Sequence, residues 1–172
     1  IPLYDPRKDS TVGGSGAHRW GEPATYDPSE NLIVQAYNVM RGIPTPDGDV
    51  YGGEDIEAED LPLSNWIAGM NVCDVQVGNR PRFAGGLEFT LDTEPATVVE
   101  ELLKACLGQI SETGGVFRVR VAEPDEPVFS ITDGDISISD PQQFTPFPGL
   151  EGTHNALRIN HPQAGALWQP VQ

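Results

Sequence analysis

The densest group of side chains with possible ligand chemistry is the acidic stretch at 43–60. Asp47, Asp49 and Gly52 fall at positions one, three and six of an EF-hand calcium loop. The twelfth position, which supplies a bidentate carboxylate in such loops, is Ala58. The flanking residues also lack the pattern of two paired helices. The stretch is therefore predicted to be a long, solvated surface loop without a metal site.

A second pair of carboxylates, Asp133 and Asp135, flanks Gly134. Paired carboxylates can divide the general acid and general base roles, but such a site needs a further acid, base or nucleophile nearby. The sequence identifies no such partner. Because Asp-Gly-Asp is also typical of a turn between strands, we expect a turn here.

The three histidines, His18, His154 and His161, are far apart in the sequence. None of them lies in an HExxH motif or in another paired-ligand pattern. A zinc site is therefore not predicted, and we expect the histidines to serve as hydrogen-bonding residues.

The two cysteines, Cys73 and Cys106, have neither the spacing of a zinc site nor the number needed for a disulfide framework. Each lies late in a predicted helix, where the helix dipole disfavours a thiolate, so neither is a candidate nucleophile. Both are predicted to be buried free thiols that pack as small apolar side chains. Such thiols suit assembly in a reducing cytoplasm.

Motifs for phosphate and nucleotide binding are absent from the sequence. The glycine-rich stretch at 13–16 has neither the Lys nor the preceding strand of a phosphate loop. The sequence has no GxSxG motif and no dinucleotide fingerprint. We therefore predict no catalytic residue, no cofactor-binding residue, no metal ligand and no cofactor, and we do not expect an enzyme.

The charge balance limits the possible partners. The chain has 26 acidic and 10 basic residues and a formal net charge of -16. This charge repels phosphates and anionic membrane surfaces at short range, so neither nucleic-acid binding nor membrane binding is expected. The sequence also has no apolar run of the roughly 18 residues that a membrane-spanning helix needs.

Three stretches have apolar residues at helical spacing. The first starts after Pro28 and ends at Gly42, which permits the left-handed conformation of a helix end. The second runs over 61–73, and the third runs from a cap at Thr93 to about Gly108. The predicted buried faces of the second and third helices comprise Trp66, Ile67, Met70, Cys73, Val98, Val99, Leu102, Leu103, Cys106 and Leu107.

Strand patterns occupy other parts of the chain. Alternation over 83–92 predicts a half-buried strand, and the residues around Gly114 and Gly115 predict a hairpin. Further strands are predicted at 128–131 and 155–161. Helices thus separate groups of antiparallel strands, which indicates an α+β fold.

The domain organisation is predicted from turn-forming residues. The stretch at 77–81 has turn chemistry, so we expect two small subdomains divided near Arg80. Residues 1–80 form the loop-rich helical subdomain and 81–172 the α+β subdomain. We further expect the chain to be an excised piece of a longer protein.

The order of several short motifs resembles the N-terminal half of the lambda-type phage tail-tip attachment family, also called host specificity protein J. Each motif is short, but they follow one another in the family's order along nearly the whole chain. They are Tyr4-Asp5-Pro6-Arg7, Arg19-Trp20 with Glu22-Pro23-Ala24, Arg41-Gly42 with Tyr51-Gly52-Gly53, 60–66 with Asn71-Val72-Cys73-Asp74, Gly114-Gly115 before Phe117-Arg118-Val119, 129–136, and Asn155-Ala156-Leu157-Arg158 before Trp168-Gln169-Pro170.

This resemblance implies a structural virion protein. Members of the family are similar to baseplate hubs: they form a trimeric ring that closes the tail tube and connects it to receptor-binding parts. The implied partners are other tail proteins, namely tail tube, distal tail and tip proteins, together with further copies of the full-length protein. The implied location is the virion, at the tail tip of a phage or prophage, after assembly in the bacterial cytoplasm.

Two alternative functions remain open. The first is a tail-associated wall-degrading enzyme, against which the missing nucleophile argues. The second is a carbohydrate- or protein-binding module, which would expose an aromatic patch. Trp20, Trp66 and Trp168 are too dispersed in the sequence to predict such a patch.

Overall fold

The computed structural model of the chain consists of helices and two-stranded antiparallel sheets. The residues that it describes are 1–53, 55–122, 127, 129–135, 156, 158, 160–162 and 170–171. The fold is α+β, as the sequence predicts. The α-helices within these residues are α1 (Leu32–Arg41), α2 (Leu63–Asp74) and α3 (Pro95–Ala105).

The sheets are small and antiparallel. Their strands pair in sequence order as β1 (Pro2–Leu3) with β2 (Asp27–Pro28), β3 (Ile43–Pro44) with β4 (Val50–Tyr51), β5 (Gln76–Val77) with β6 (Arg80–Pro81), β7 (Gln109–Thr113) with β8 (Val116–Arg120), and β9 (His161–Pro162) with β10 (Pro170–Val171). The predicted hairpin is confirmed: Thr113 faces Val116 across Gly114 and Gly115, which have φ angles of 63° and 81°.

The chain divides into two compact units, Ile1–Asp125 and Glu126–Gln172. Arg80, where the sequence suggests a boundary, lies inside the first unit. The helices before and after it belong to one core, because α1 packs against both α2 and α3.

Helix α1 is the centre of that core. Asn31 caps it by accepting hydrogen bonds from the backbone N–H groups of Ile33 and Val34, both at 3.1 Å. Gly42 ends it with a φ of 91°, as predicted. The helix buries residues on several sides because it lies between neighbours; they are Leu32, Ile33, Val34, Ala36, Tyr37, Asn38 and Val39.

The predicted faces of α2 and α3 are confirmed with two differences. Trp66, Met70 and Cys73 are fully buried, whereas Ile67 is only half-buried. The apolar face of α3 is buried up to Cys106, but Leu107 is exposed. The helix has ended by then: Leu107 has a φ of 53°, so its side chain leaves the helical face.

The acidic stretch at 43–60 is more ordered than the predicted loop. It contains the β3–β4 hairpin and a single 3-10 turn, Ala58–Asp60. The hairpin turn is stabilised by Thr45, whose backbone N–H donates to the carbonyl of Asp49 at 2.8 Å. Tyr51, at the end of the hairpin, is buried and anchors it to the core.

The strand predicted over 83–92 is not formed. The described structure assigns no regular element to residues 84–90. The segment is fastened instead at Gly85, whose backbone N–H donates to the carbonyl of Glu30 at 2.9 Å and whose carbonyl accepts from the side chain of Gln35 at 2.7 Å. Leu87, Phe89 and Leu91 do alternate with polar residues in the sequence, but no strand within the described residues pairs with this segment.

The second unit is described only in part. Asp133–Asp135 form a single 3-10 turn, in agreement with the predicted turn, and the side chain of Asp135 accepts from the backbone N–H and the hydroxyl of Thr132. Residues 129–131 have no regular secondary structure. Val128, His154, Asn155 and Trp168, which belong to predicted elements and motifs, lie outside the described residues.

Candidate functional site

The ionisable side chains of the opening segment, residues 4–27, form a network of hydrogen bonds and ion pairs with one another and with helix α2. We call it the N-terminal polar cluster; its members are Tyr4, Asp5, Arg7, Lys8, Asp9, His18, Arg19, Asp27 and Asp74. The segment is positioned by a 3-10 turn, Pro6–Lys8, whose N-cap Asp5 accepts from the backbone N–H of Arg7 at 3.0 Å. The chain then folds back, and the backbone N–H of His18 donates to the carbonyl of Lys8 at 3.0 Å.

Asp9 is the buried centre of the cluster, with 2 % of its surface exposed. Its carboxylate accepts from the Tyr4 hydroxyl at 2.8 Å, from both the hydroxyl and the backbone N–H of Thr11, and from the Arg19 guanidinium at 3.0 Å. Burial raises the pKa of Asp9, but the hydrogen bonds from Thr11 and Tyr4 and the charge of Arg19 together hold that pKa below its ordinary value. The ionised form of this buried carboxylate is thus stabilised by four hydrogen bonds.

Tyr4 is the hydrogen-bond donor to Asp9 rather than a candidate nucleophile. Burial raises its pKa, and its hydrogen bond to Asp9 and the charge of that carboxylate raise it further. Its ring also lies among four aromatic rings with centroid distances of 5.3–6.4 Å, those of His18, Trp20, Tyr26 and Tyr37. The phenol therefore stays protonated and fixed in the packing.

His18 and Asp27 have the geometry of an imidazole oriented by a carboxylate. His18 Nε2 lies 3.2 Å from Asp27 Oδ2, and Nδ1 accepts from the backbone N–H of Asp5 at 3.0 Å. Because a backbone N–H can only donate, Nδ1 carries no proton, and the hydrogen-bond network assigns the proton to Nε2. Neither ring nitrogen is left for a substrate, so His18 has the predicted hydrogen-bonding role.

The carboxylate of Asp27 accepts hydrogen bonds from both Lys8 and His18. Lys8 Nζ lies 2.9 Å from the same Oδ2 atom that accepts from His18. The hydrogen bond from Lys8, followed by that from His18, lowers the pKa of Asp27. This carboxylate therefore stays ionised at neutral pH and is not a candidate general acid.

Arg7 connects the cluster to helix α2. Its Nε and NH2 groups donate to the two oxygens of Asp5 at 3.0 and 2.8 Å, and NH1 donates to Asp74 at 2.6 Å and to Asn71 at 3.2 Å. A cation at the C-terminal end of a helix also interacts favourably with the helix dipole. Arg7 thus fastens the opening segment to the last turn of α2.

The two thiols lie in the apolar core. Cys73 and Cys106 are both fully buried and free, as predicted. Cys106 Sγ donates to the carbonyl of Leu103 at 3.4 Å. The hydrogen bond with Cys106, together with burial, raises the pKa of Cys73, which keeps that sulfur a thiol. Neither side chain is a nucleophile that a substrate can reach.

Asp47 and Asp49, which were considered as calcium ligands, lie in the exposed turn of the β3–β4 hairpin. Asp133 and Asp135, which were considered as paired carboxylates, lie in a 3-10 turn of the second unit. Among the described residues, no three His, Cys, Asp or Glu side chains are grouped so that they would hold a metal ion. In the same part of the chain, every buried side-chain nitrogen and oxygen has a hydrogen-bond partner.

Several residues with important contacts were not predicted from the sequence. Asn38 pairs with the backbone of Tyr4, and Asn31 donates from Nδ2 to the carbonyl of Met70 at 2.8 Å. A signal for Asn38 was present, since it is a polar residue within an apolar helical repeat. Asp9 and Arg19 gave no comparable signal, because their pairing depends on how the loop folds.

Comparison of the chain with family models, curated proteins and solved structures gave no match. None of the helices within the described residues has the length and apolar character required to traverse a bilayer.

Proposed function

We propose that this chain is a structural segment of the tail tip of a phage or prophage, in the hub portion of a protein of the host specificity protein J family. Its role is to form part of the ring that closes the tail tube and to connect that ring to receptor-binding parts. The ordered series of motifs between Tyr4 and Pro170 supports this proposal.

The observation that carries the proposal is that residues of these motifs form hydrogen bonds and ion pairs with other residues of the chain. Tyr4, Asp5 and Arg7 belong to the first motif. Their partners are other residues of the chain rather than solvent: Asp9, His18, Asn71 and Asp74. A motif used in this way specifies the position of a segment, which is what a ring component that transmits force needs. An enzyme would instead keep a base or nucleophile available to substrate.

The contacts of Trp20 also support a structural role. The guanidinium carbon of Arg41 lies 4.2 Å from the centre of the Trp20 ring, and Tyr4 meets this ring edge-on at 5.3 Å. A tryptophan held by a cation–π contact and an aromatic edge is not an open platform for stacking a sugar. This supports a structural role over a carbohydrate-binding module.

The proposal is tested by locating the segment in a particle. Antibodies raised against the purified chain are applied to virions induced from the source bacterium and are detected by immunogold electron microscopy. We expect gold particles at the distal end of the tail. Labelling of the capsid or the tail shaft, in particles that give a positive immunoblot, would overturn the proposal.

The enzyme alternative is tested separately. The purified chain is incubated with peptidoglycan, and the turbidity and the release of soluble fragments are followed, with lysozyme as the positive control. We expect no release above a heat-denatured sample. Release that depends on the folded chain would replace the structural proposal by an enzymatic one.

A further inference from the structure

We propose that an apolar groove beside the β3–β4 hairpin binds an extended, Lys- or Arg-bearing apolar segment of a partner protein. We call it the hairpin groove; its main lining residues are Ile43, Pro44, Tyr51, Leu87, Phe89 and Leu91. Its volume is about 390 Å³. This inference does not depend on the tail-hub proposal, because it rests on the surface of the first unit alone.

The walls of the groove are preformed. One wall is the hairpin and the other is the segment at 87–91, and they meet where the rings of Tyr51 and Phe89 lie 5.0 Å apart. The Tyr51 hydroxyl donates to the carbonyl of Thr93 at 2.7 Å, which ties the hairpin to the residues just after the second wall. A ligand therefore meets an apolar surface that is already in place, so little ordering is required on binding.

Two apolar side chains that line the groove are exposed. Leu91 is 62 % and Leu87 40 % exposed, whereas Tyr51 is buried at the base of the hairpin wall. Single exposed apolar side chains are common, but a contiguous set along one groove marks an interaction surface. This set favours a partner that brings apolar side chains of its own.

The backbone beside the groove has unused hydrogen-bonding groups. Among the residues that the structure describes, no hydrogen bond is formed by the backbone groups of Leu87, Glu88 or Phe89. Peptides that add to an exposed sheet edge bind through main-chain hydrogen bonds and place alternate side chains in pockets. The backbone groups of 87–89 offer the same pairing, although this segment is not part of a sheet. The expected occupant is therefore an extended segment rather than a helix.

The rim of the groove determines the charge of the partner. Glu88 is the charged side chain that lines the groove, and the two stretches that form its walls, 43–51 and 87–91, also contain Asp47 and Asp49 but no Lys or Arg. An acidic rim around an apolar floor attracts cationic segments and repels anionic ones. We thus assign the groove to a segment in which apolar residues alternate with basic ones.

The probe is a fluorescein-labelled peptide of about eight residues with alternating Leu and Lys, long enough to pair along the segment. Its binding to the whole chain is measured by fluorescence polarisation. Matched peptides with alternating Leu and Glu, and with alternating Ser and Lys, separate the two contributions. We expect both to bind at least about tenfold more weakly than the Leu–Lys peptide. Equal binding of the Ser–Lys peptide, or no binding of the Leu–Lys peptide, would overturn the proposal.

Variants locate the site. Leu91→Ser and Glu88→Lys change exposed groove residues, so the fold is retained, and each should weaken binding of the Leu–Lys peptide by about tenfold. Leu107→Ser and Glu112→Lys make the same changes at exposed positions outside the groove lining. These controls should leave the affinity unchanged. If the control variants weaken binding as much as the groove variants, the peptide is binding elsewhere and the assignment is wrong.

Hydrogen exchange tests the mode of binding. Saturation with the Leu–Lys peptide should slow amide exchange at 87–89, where the backbone groups make no hydrogen bond within the described part of the chain. Exchange in the β7–β8 hairpin should stay unchanged. Binding without protection at 87–89 would contradict strand addition.

Discussion

The side chain of Asn38 pairs with both backbone groups of Tyr4. The backbone N–H of Tyr4 donates to Oδ1 at 2.9 Å, and Nδ2 donates to the carbonyl of Tyr4 at 2.8 Å. The amide thus reproduces a backbone pairing between the opening segment and the middle of α1. Both residues are buried, so water cannot replace these hydrogen bonds.

The first prediction follows from that pairing. Asn38→Ala should lower the free energy of unfolding by about 2–4 kcal/mol, because it leaves a buried N–H and a buried carbonyl without partners. Urea denaturation followed by circular dichroism measures this change. Asn71→Ala is the matched control, since Asn71 makes only an exposed hydrogen bond, and it should cost less than about 1 kcal/mol. A loss below about 1 kcal/mol for Asn38→Ala would show that the pairing contributes little.

The second prediction concerns Leu103, which is 7 % exposed on the core face of α3. Leu103→Ala should cost about 2–5 kcal/mol, as expected when a buried side chain is shortened and a cavity remains. Leu107→Ala makes the same change at a side chain that is 69 % exposed, so it should be nearly neutral. A loss below about 0.5 kcal/mol for Leu103→Ala would mean that the core tolerates the cavity.

The features that the sequence predicted are those with local causes. Gly42 ends a helix and Gly114 and Gly115 form a hairpin because a positive φ is needed there and glycine adopts it without strain. The apolar face of α3 follows from helical spacing alone. Each of these depends on residues within a few positions of one another.

The features that were missed depend on distant partners. The alternation over 83–92 has the period of a strand, yet a strand forms only when another pairs with it, and none does within the described residues. The polar cluster is similar in this respect, since Arg7 and Asp74 are 67 positions apart. Spacing identifies a helix face, but it does not reveal which charges meet across the fold.

The third prediction is a pH dependence of stability that comes from Asp9. The pKa of this carboxylate is lower in the folded protein than its ordinary value of 3.8, so its ionised form favours folding. This contribution is complete above the unfolded pKa and is lost as the pH falls through the folded pKa. The difference in unfolding free energy between the native chain and Asp9→Asn should therefore shrink as the pH is lowered from about 5 to 3.

The measurement for Asp9 is a series of urea titrations of both proteins over that range. Comparing the two proteins removes the contribution of the other carboxylates, which is common to both. The side-chain carbonyl introduced by Asp9→Asn can still accept some of the hydrogen bonds that Thr11 and Tyr4 donate, so the variant is expected to fold. A difference that stays constant with pH would contradict the assignment of an ionised Asp9.

The last prediction links the charge of the chain to the proposed place in a tail hub. DNA leaving a tail tube must pass the hub without sticking, and basic residues would hold phosphates through the release of counterions. A net charge of -16 has the opposite effect. We therefore expect no binding of the chain to duplex DNA at about 50 mM salt, where electrostatic binding is strong. An electrophoretic mobility shift assay, with a basic protein of similar size as the positive control, measures this directly.

In a cryo-electron microscopy structure of the assembled tail tip, we further expect a net negative surface facing the axis, with Asp47 and Asp49 as candidates for that surface. Micromolar binding to DNA, or a basic lining of the channel, would show that the acidic residues do not serve to let DNA pass.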